Sequence, residues 1–370
     1  MMFITDERLG NMKILMLAQS NMPIPSPKDE IFAPGVIFNS IAEGLKSKGH
    51  NVTVFASSDS RSKVKTESFG IKSTYSTGLL GIKDRFYRAN QHQMYLASEA
   101  FHEYRDGDYD LMHLDEFRVA PYFSEFIKGP ITCTYHGIPA RDHDLRFDLD
   151  VLRQKRFYGR IKFIAATNKQ RELGSDYFNF VETIHHGIDV NKFKFSKNGG
   201  DNLVFVGRLI KGKNPDVAIE VAKKSGYGID LFGTYDKKSD YFVKQIKPSI
   251  KNNIRVRGHI PFSKISTAYQ NAKALIFPIT WDEAFGLVVI EAMACGTPVI
   301  AFNRGAMKEL IIDGVTGYIV EEGDISGMIK AIRKIESIDR KKCREHVENN
   351  FTLEKMVDNY EKTFSKIVNK

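Results

Sequence analysis

The feature that most constrains the fold of this chain is an alternation of short apolar segments with longer amphipathic ones. Residues 13–18 are apolar from the second position onward, as is typical of a strand buried on both faces of a parallel sheet. Residues 36–48 follow with apolar side chains on one helical stripe and end before Gly49. Residues 51–55 then predict a second strand. This order of strand, helix and strand predicts a βαβ unit.

The alternation continues and then starts again after a polar segment at 192–201 that contains two consecutive glycines. The sequence therefore predicts an α/β fold with two doubly wound, Rossmann-like domains that face a central cleft, where ligands of such sheets bind. A loop-rich insertion is predicted over 57–88. Helices are predicted over 91–104 and 215–224, and further strands over 111–114, 131–135, 163–166, 203–206, 228–232, 254–257, 274–277, 299–302 and 317–320.

Composition narrows the class of protein. The chain has 370 residues, a formal net charge of +9 and three cysteines outside any metal-binding pattern. Reduced thiols and the lack of a signal-peptide pattern predict a cytoplasmic protein. The basic residues are spread along the chain and form no sequence motif typical of RNA- or DNA-binding proteins, so no nucleic acid partner is expected. Residues 153–162 hold five basic side chains and no acid, so they form either a solvated helix face or a peripheral contact with the inner face of a membrane.

Two carboxylates flank the start of one predicted helix. Glu283 lies in the loop before it, and Glu291 lies one to two turns into the helix, which we predict over 288–294. Gly286 lets the backbone pass close to a ligand, and the N–H groups at the helix start can receive an anion. The two carboxylates could bind hydroxyl groups at two points along one ligand. The alternative is a pair of ordinary surface glutamates, which the surrounding glycine, proline and small residues disfavour.

Residues 283–301, EAFGLVVIEAMACGTPVIA, resemble the E-x7-E signature of retaining glycosyltransferases of family four, which have the GT-B fold. The resemblance implies that Glu283 contacts the transferred sugar and acts in catalysis, and that Glu291 binds the ribose. It also implies that the backbone of Phe285, Gly286 and Leu287 contacts the sugar and phosphates of the donor.

A basic loop follows the first predicted strand of the second series. Arg208 and Lys213 could neutralise a diphosphate as it leaves, or they could belong to a solvated basic loop. The segment resembles the diphosphate clamp of the same family, which implies the first role. Gly35, at the predicted junction of the first strand and helix, would let a phosphate approach the backbone. The family usually has a Gly-Gly pair here, whereas this chain has Ala33-Pro34-Gly35.

Two other candidates follow predicted strands. His136 comes directly after strand 131–135, at the sheet edge that faces the cleft. The resemblance places a histidine here beside the donor sugar, so we count His136 with the catalytic residues. Ile260 lies in a loop whose backbone, in the family, holds the base. His185 and His186 are interpreted as structural.

The resemblance extends over nearly the whole chain. It implies an acceptor-side domain over 1–190, a donor-binding domain over 191–352 and a terminal helix over 353–370 that packs back on the first domain. It further implies transfer of a hexose from a nucleotide diphosphate sugar, most commonly a UDP-sugar, with retention at the anomeric carbon. We identify no acidic pair placed to hold a metal, so metal-independent transfer without a cofactor is predicted. The acceptor, whether glycan, lipid or small molecule, stays open.

Other functions are compatible with parts of this pattern. A GT-B epimerase or phosphorylase would share the fold and the basic clamp. A binding module without catalysis would have little use for both carboxylates. A basic protein that binds nucleic acid or a membrane surface without catalysis would rest on the net charge of +9 alone.

Overall fold

A computed structural model describes residues 10–27, 30, 32–77, 85–115, 118–137, 159–251 and 253–369. Its strands confirm the predicted α/β class. They are β1 (Lys13–Leu17), β2 (Asn51–Phe55), β3 (Lys65–Glu67), β4 (Leu111–Leu114), β5 (Ile131–Tyr135), β6 (Ile161–Ala165), β7 (Phe180–Thr183), β8 (Asn202–Val206), β9 (Ile229–Phe232), β10 (Ile254–Gly258), β11 (Ala272–Phe277), β12 (Val299–Phe302) and β13 (Gly317–Val320).

The α-helices of the described residues surround two separate parallel sheets. They are α1 (Ala33–Ser47), α2 (Arg85–Asp106), α3 (Asn168–Gly174), α4 (Pro215–Ser225), α5 (Phe262–Gln270), α6 (Leu287–Ala294), α7 (Met307–Leu310), α8 (Ile325–Lys334), α9 (Arg340–Asn350) and α10 (Leu353–Val368). The described part of the chain contains no helix that is both long and apolar enough to cross a membrane.

The order of the strands gives each sheet one point at which the chain reverses direction across it. The first sheet runs β3-β2-β1-β4-β5-β6-β7 and the second runs β10-β9-β8-β11-β12-β13. The reversal, or switch point, therefore lies between β1 and β4 in the first sheet and between β8 and β11 in the second. Ligands of open α/β sheets bind in the crevice outside the carboxyl ends of the strands at this point.

Two edge strands were not predicted from the sequence. The strand β3 lies inside the segment expected to be a loop-rich insertion, and β7 forms the opposite edge of the first sheet. The residues of β3, Lys-Thr-Glu, are half-buried or exposed. An edge strand with one neighbour and a solvated face lacks the continuous apolar run by which central parallel strands are recognised.

The C-terminal helix α10 packs against α1 in the first domain. Hydrogen bonds between buried side chains hold α10 against the first sheet. The hydroxyl groups of Tyr360 and Thr134 are 2.7 Å apart, and Thr134 Oγ1 lies 3.1 Å from His113 Nε2. His113 Nδ1 lies 2.8 Å from the hydroxyl oxygen of Thr132. Burial lowers the pKa of His113 to about 3, so this ring is neutral at ordinary pH.

Candidate active site

A cleft of ≈ 1380 Å³ lies between the two domains and is lined by residues of both. On the first domain, the loop after β1 contacts the loop after β4, where Gln19 Nε2 donates a hydrogen bond of 3.0 Å to the carbonyl oxygen of Asp115. On the second domain, the loops after β8 and β11 contact each other. The lining of the cleft includes the switch point between β8 and β11, where a ligand of this fold is expected.

A lysine and a glutamate meet at the second switch point. Lys213 Nζ donates a hydrogen bond of 2.6 Å to Glu283 Oε2, although the two residues are 70 positions apart. The indole nitrogen of Trp281 donates to the same oxygen at 3.0 Å. The side chains of Lys213 and Glu283 are 18% and 22% exposed, so both groups can reach a ligand while part of their surface is shielded from water.

The helix α6 begins at the wall of the cleft. Gly286 precedes it with φ of 100° and ψ of 63°, a left-handed conformation that residues with a Cβ rarely adopt. The backbone therefore turns sharply between Glu283 and the helix. Phe285 is buried, and its ring lies 4.9 Å from that of His186. Leu287 packs against the cores of both domains.

Glu291 lines the cleft further along α6 and has an unusual protonation equilibrium. Burial raises the pKa of Glu291 to about 7, and the hydrogen bond that it accepts from the Tyr269 hydroxyl at 2.9 Å opposes this rise. Ile260 also lines the cleft. A carboxyl group with a pKa near neutrality can accept a hydrogen bond from a ligand hydroxyl when ionised, or donate one to it when protonated.

The first domain contributes an imidazole held by a buried carboxylate. His136 Nε2 lies 2.6 Å from Asp115 Oδ1, and the side chain of Asp115 is only 1% exposed. Burial raises the pKa of Asp115 and the neighbouring His136 opposes this effect. Sequence reasoning missed Asp115, although the signal that singled out His136 applies to it as well. Each residue directly follows a buried parallel strand.

A second histidine lies beside His136 at the cleft. His186, interpreted from the sequence as structural, lines the cleft, and its ring lies 5.5 Å from that of His136. Burial lowers its pKa well below the ordinary value, and its Nδ1 has no hydrogen-bond partner among the described residues. His185, in contrast, bonds Glu309 at 3.0 Å.

Two predicted site residues lie outside the lining of the cleft. The helix α1 starts at Ala33, with Pro34 in its first turn, so Gly35 is a buried helical residue and not a loop glycine. A Cβ at Gly35 would approach Phe32 Cδ1 to 2.7 Å, so it is this ring that its missing side chain accommodates. Arg208 is exposed, and its neighbour Gly207 lines the cleft.

The two domains are joined beside the cleft by a second set of contacts. Glu309 of the second domain accepts hydrogen bonds of 2.8 Å from the backbone N–H groups of Asn168 and Lys169 at the start of α3. Thr167 Oγ1 donates to the carbonyl oxygen of Ala284 at 3.0 Å.

Most of the basic segment 153–162, namely 153–158, lies outside the described residues, so its proposed membrane contact stays a prediction.

Comparisons with known proteins give the family. The model described as "Glycosyltransferase Family 4" matches residues 35–192, and "Glycosyl transferases group 1" matches residues 188–352. A Klebsiella pneumoniae "Uncharacterized 41.2 kDa protein in cps region" is 28% identical over 249 residues, 59% of this chain and 68% of that protein. A phosphatidyl-myo-inositol mannosyltransferase of Mycobacterium leprae is 27% identical over 61% of this chain and 64% of its own length.

The fold also matches solved structures. The structure of Anabaena Alr3699/HepE in complex with UDP has a TM-score of 0.74 and 18% identity, covering 96% of this chain and 100% of that one. The curated relatives match over about two thirds of their own length, whereas the fold matches from end to end. The two family models follow one another along the chain, and the two facing parallel sheets are those of the GT-B fold. The chain therefore belongs to the glycosyltransferases of family four, with the GT-B fold.

Proposed function

We propose that this protein transfers a hexose from a nucleotide diphosphate sugar, with a UDP-sugar as the donor, to an acceptor. One observation carries the proposal. A cation, two carboxylates and the start of a helix line one cleft at the switch point between β8 and β11, in a chain of a glycosyltransferase family. This is the set of groups needed to bind the anionic and hydroxyl-bearing parts of a nucleotide sugar.

The diphosphate would lie between Lys213 and the first N–H groups of α6. An ammonium group has three N–H donors, so Lys213 can keep its bond to Glu283 and still contact a phosphate oxygen. The helix start adds a favourable partial charge. Both groups would stabilise the charge that develops as the diphosphate leaves. Arg208, exposed beside Gly207, would supply a second cation by turning toward the cleft.

The two carboxylates would bind opposite ends of the donor. In the proposed pose, Glu283 accepts a hydrogen bond from the transferred sugar, and Glu291 binds the ribose. Ile260 would hold the base through its backbone, and His136 would approach the sugar from the first domain. A group in this position, held by Asp115, can orient a reacting hydroxyl.

Retention at the anomeric carbon and independence of a metal are parts of the same proposal. Retention by double displacement requires a carboxylate nucleophile at that carbon. Glu283 is already bound by Lys213 and Trp281, and we propose instead that the acceptor attacks from the face on which the diphosphate leaves. Nuclear magnetic resonance of the product would identify its anomer. Turnover should also persist in excess EDTA.

A thermal-shift panel of UDP-, GDP- and ADP-sugars tests the central claim. One class should raise the melting temperature of the wild-type protein, and Lys213→Met should abolish the increase. Lys330→Met, which changes an exposed lysine on α8, is the matched control and should behave as the wild type. No stabilisation by any nucleotide sugar would refute the proposed function. Sugar-nucleotide conversion without any acceptor would indicate an epimerase instead.

A further inference from the structure

The loops after β8 and β11 meet through an aromatic side chain that no motif singled out. Trp281 is the only tryptophan of the chain. Its indole nitrogen donates to Glu283 Oε2 at 3.0 Å, and Lys213 Nζ lies 4.7 Å from the centre of its ring. A single side chain thus contacts both members of the ion pair at the switch point.

The backbone beneath the ring is adapted to this contact. A Cβ at Gly212 would overlap the six-membered ring of Trp281, so only glycine allows the loop that carries Lys213 to lie against the indole. Asn214 Nδ2 donates to the carbonyl oxygen of Pro278 at 2.9 Å and to Thr280 Oγ1 at 3.1 Å. The loop that carries Lys213 and the loop that carries Glu283 are therefore held together independently of any ligand.

We propose that Trp281 is a positioning residue of the donor site, which holds Glu283 so that one carboxylate oxygen faces the sugar. This inference rests on the proposed function. Both donors, Lys213 and Trp281, bind Oε2, and in the described part of the chain Oε1 accepts no hydrogen bond. The carboxylate is consequently fixed in rotation, with one oxygen saturated and the other available to a sugar hydroxyl.

The indole has a role that Lys213 alone cannot perform. When a diphosphate binds, the Lys213 ammonium group is shared between Glu283 and a phosphate oxygen, so its bond to the carboxylate alone no longer fixes the position of Glu283. The neutral indole N–H has no attraction of that kind for the phosphate and keeps its bond to the carboxylate. The ring face also attracts the ammonium group through a cation–π contact, which limits how far Lys213 can move. Trp281 would thus keep the sugar-binding group in place while the phosphate-binding group is shared.

Because Trp281 is the only tryptophan, its fluorescence reports this arrangement without a ligand. Glu283→Gln and Lys213→Met should each change the emission maximum or quantum yield of the free protein, because each alters a group in contact with the indole. Lys330→Met is the control and should leave the emission unchanged. Unchanged emission in both Glu283→Gln and Lys213→Met would overturn the inferred contact.

The effect on the donor separates positioning from a merely structural role. The probes are UDP-glucose, GDP-mannose and ADP-glucose, each compared by calorimetry with its sugar-free nucleoside diphosphate. Trp281→Phe keeps a ring face but loses the N–H donor, and it should weaken the tightest sugar nucleotide about tenfold, as expected for a lost hydrogen bond to a charged group. Affinity for the nucleoside diphosphate should change by roughly twofold or less, because in the proposed pose the diphosphate does not contact Oε1 of Glu283.

The control is Tyr318→Phe, which removes a polar group from an aromatic ring outside the cleft. It should leave both affinities unchanged. Equal weakening of the sugar nucleotide and the diphosphate in Trp281→Phe would overturn the positioning role and indicate general loss of loop structure. Failure of the wild type to bind any sugar nucleotide would refute the proposed function itself, whereas the ligand-free emission would still test the indole contact separately.

Discussion

The packing of the C-terminal helix α10 on α1 of the first domain can be tested at one contact between the two helices. Gly44 of α1 faces Val357 of α10, and a methyl group on Gly44 would lie 2.9 Å from Val357 Cγ1 and closer still to Cγ2. Val357 is only 4% exposed, and its branched Cβ leaves few alternative rotamers. The side chain cannot turn away, so Gly44→Ala should force the two helices apart.

Two opposing effects determine the size of the change. Overpacking a buried contact costs about 1–3 kcal/mol. Replacing glycine by alanine inside a helix stabilises by about 1 kcal/mol, so Gly44→Ala should lower the free energy of unfolding by roughly 1 kcal/mol net. Val357→Ala should cost about 2 kcal/mol, because it removes two buried methyl groups. Since those methyl groups are the atoms that clash, Gly44→Ala should become stabilising by roughly 1 kcal/mol in the Val357→Ala background.

Urea unfolding followed by circular dichroism measures this reversal in four proteins: the wild type, the two single variants and the double variant. Val221→Ala provides a matched control background, because Val221 is equally buried but lies in α4 of the second domain. Gly44→Ala should remain destabilising there. An equal effect of Gly44→Ala in the wild-type, Val221→Ala and Val357→Ala proteins would refute the packing of α10 on α1.

Three further predictions concern buried ionisable groups. Burial lowers the pKa of His113 in the folded protein from 6.5 to about 3, so the unfolded chain binds the proton more readily between these two values. The free energy of unfolding should therefore fall by roughly 3 kcal/mol from pH 6.5 to about pH 4. Urea unfolding curves should show a smaller pH dependence in His113→Gln. Burial raises the pKa of Glu291 from 4.5 to about 7, so its contribution to stability declines as pH rises through this range. The melting temperature of Glu291→Gln should therefore exceed that of the wild type at about pH 8 and approach it at about pH 4. The same variant should lose its affinity for nucleotide sugars. Asp115→Asn removes the charge beside His136 and should lower the turnover of the donor about tenfold without lowering the melting temperature, because burial disfavours the carboxylate that it replaces. Asp240→Asn, at an exposed site, should have no effect. A normal rate in Asp115→Asn would exclude its positioning of His136.

Much of the secondary structure was predictable from the chain itself. The strands β2, β4, β5, β12 and β13 have the predicted bounds. Strands β4, β5 and β12 are buried along their whole length, as expected of contiguous apolar runs, whereas β13 lies at the edge of the second sheet and is half-buried. The start of α1 was predicted three residues too late, since Pro34 was assigned to a loop although proline favours the first turn of a helix. The edge strands β3 and β7 were missed for the opposite reason, because half of each strand's environment is solvent.

Some features of the candidate site were also predictable from the sequence, and others were not. Charged residues after predicted strands indicated the cleft, and the structure brings Lys213, Glu283 and Glu291 together there. The sequence did not predict that Trp281 would share an oxygen of Glu283 with Lys213, nor that Asp115 would hold His136. Those contacts depend on which loops become neighbours. Asp115 follows a buried strand, as His136 does, but that position in the sequence does not show which strand ends lie side by side.

The sequence by itself determined the α/β class, the presence of two sheets and the charged groups that follow individual strands. These properties reside in contiguous residues, whose period and propensity act locally. Only the tertiary structure decided that β8 lies beside β11 and β1 beside β4. That choice brings Lys213 to Glu283 across 70 residues, and it is made by strand pairing and burial over the whole sheet, which no local pattern encodes.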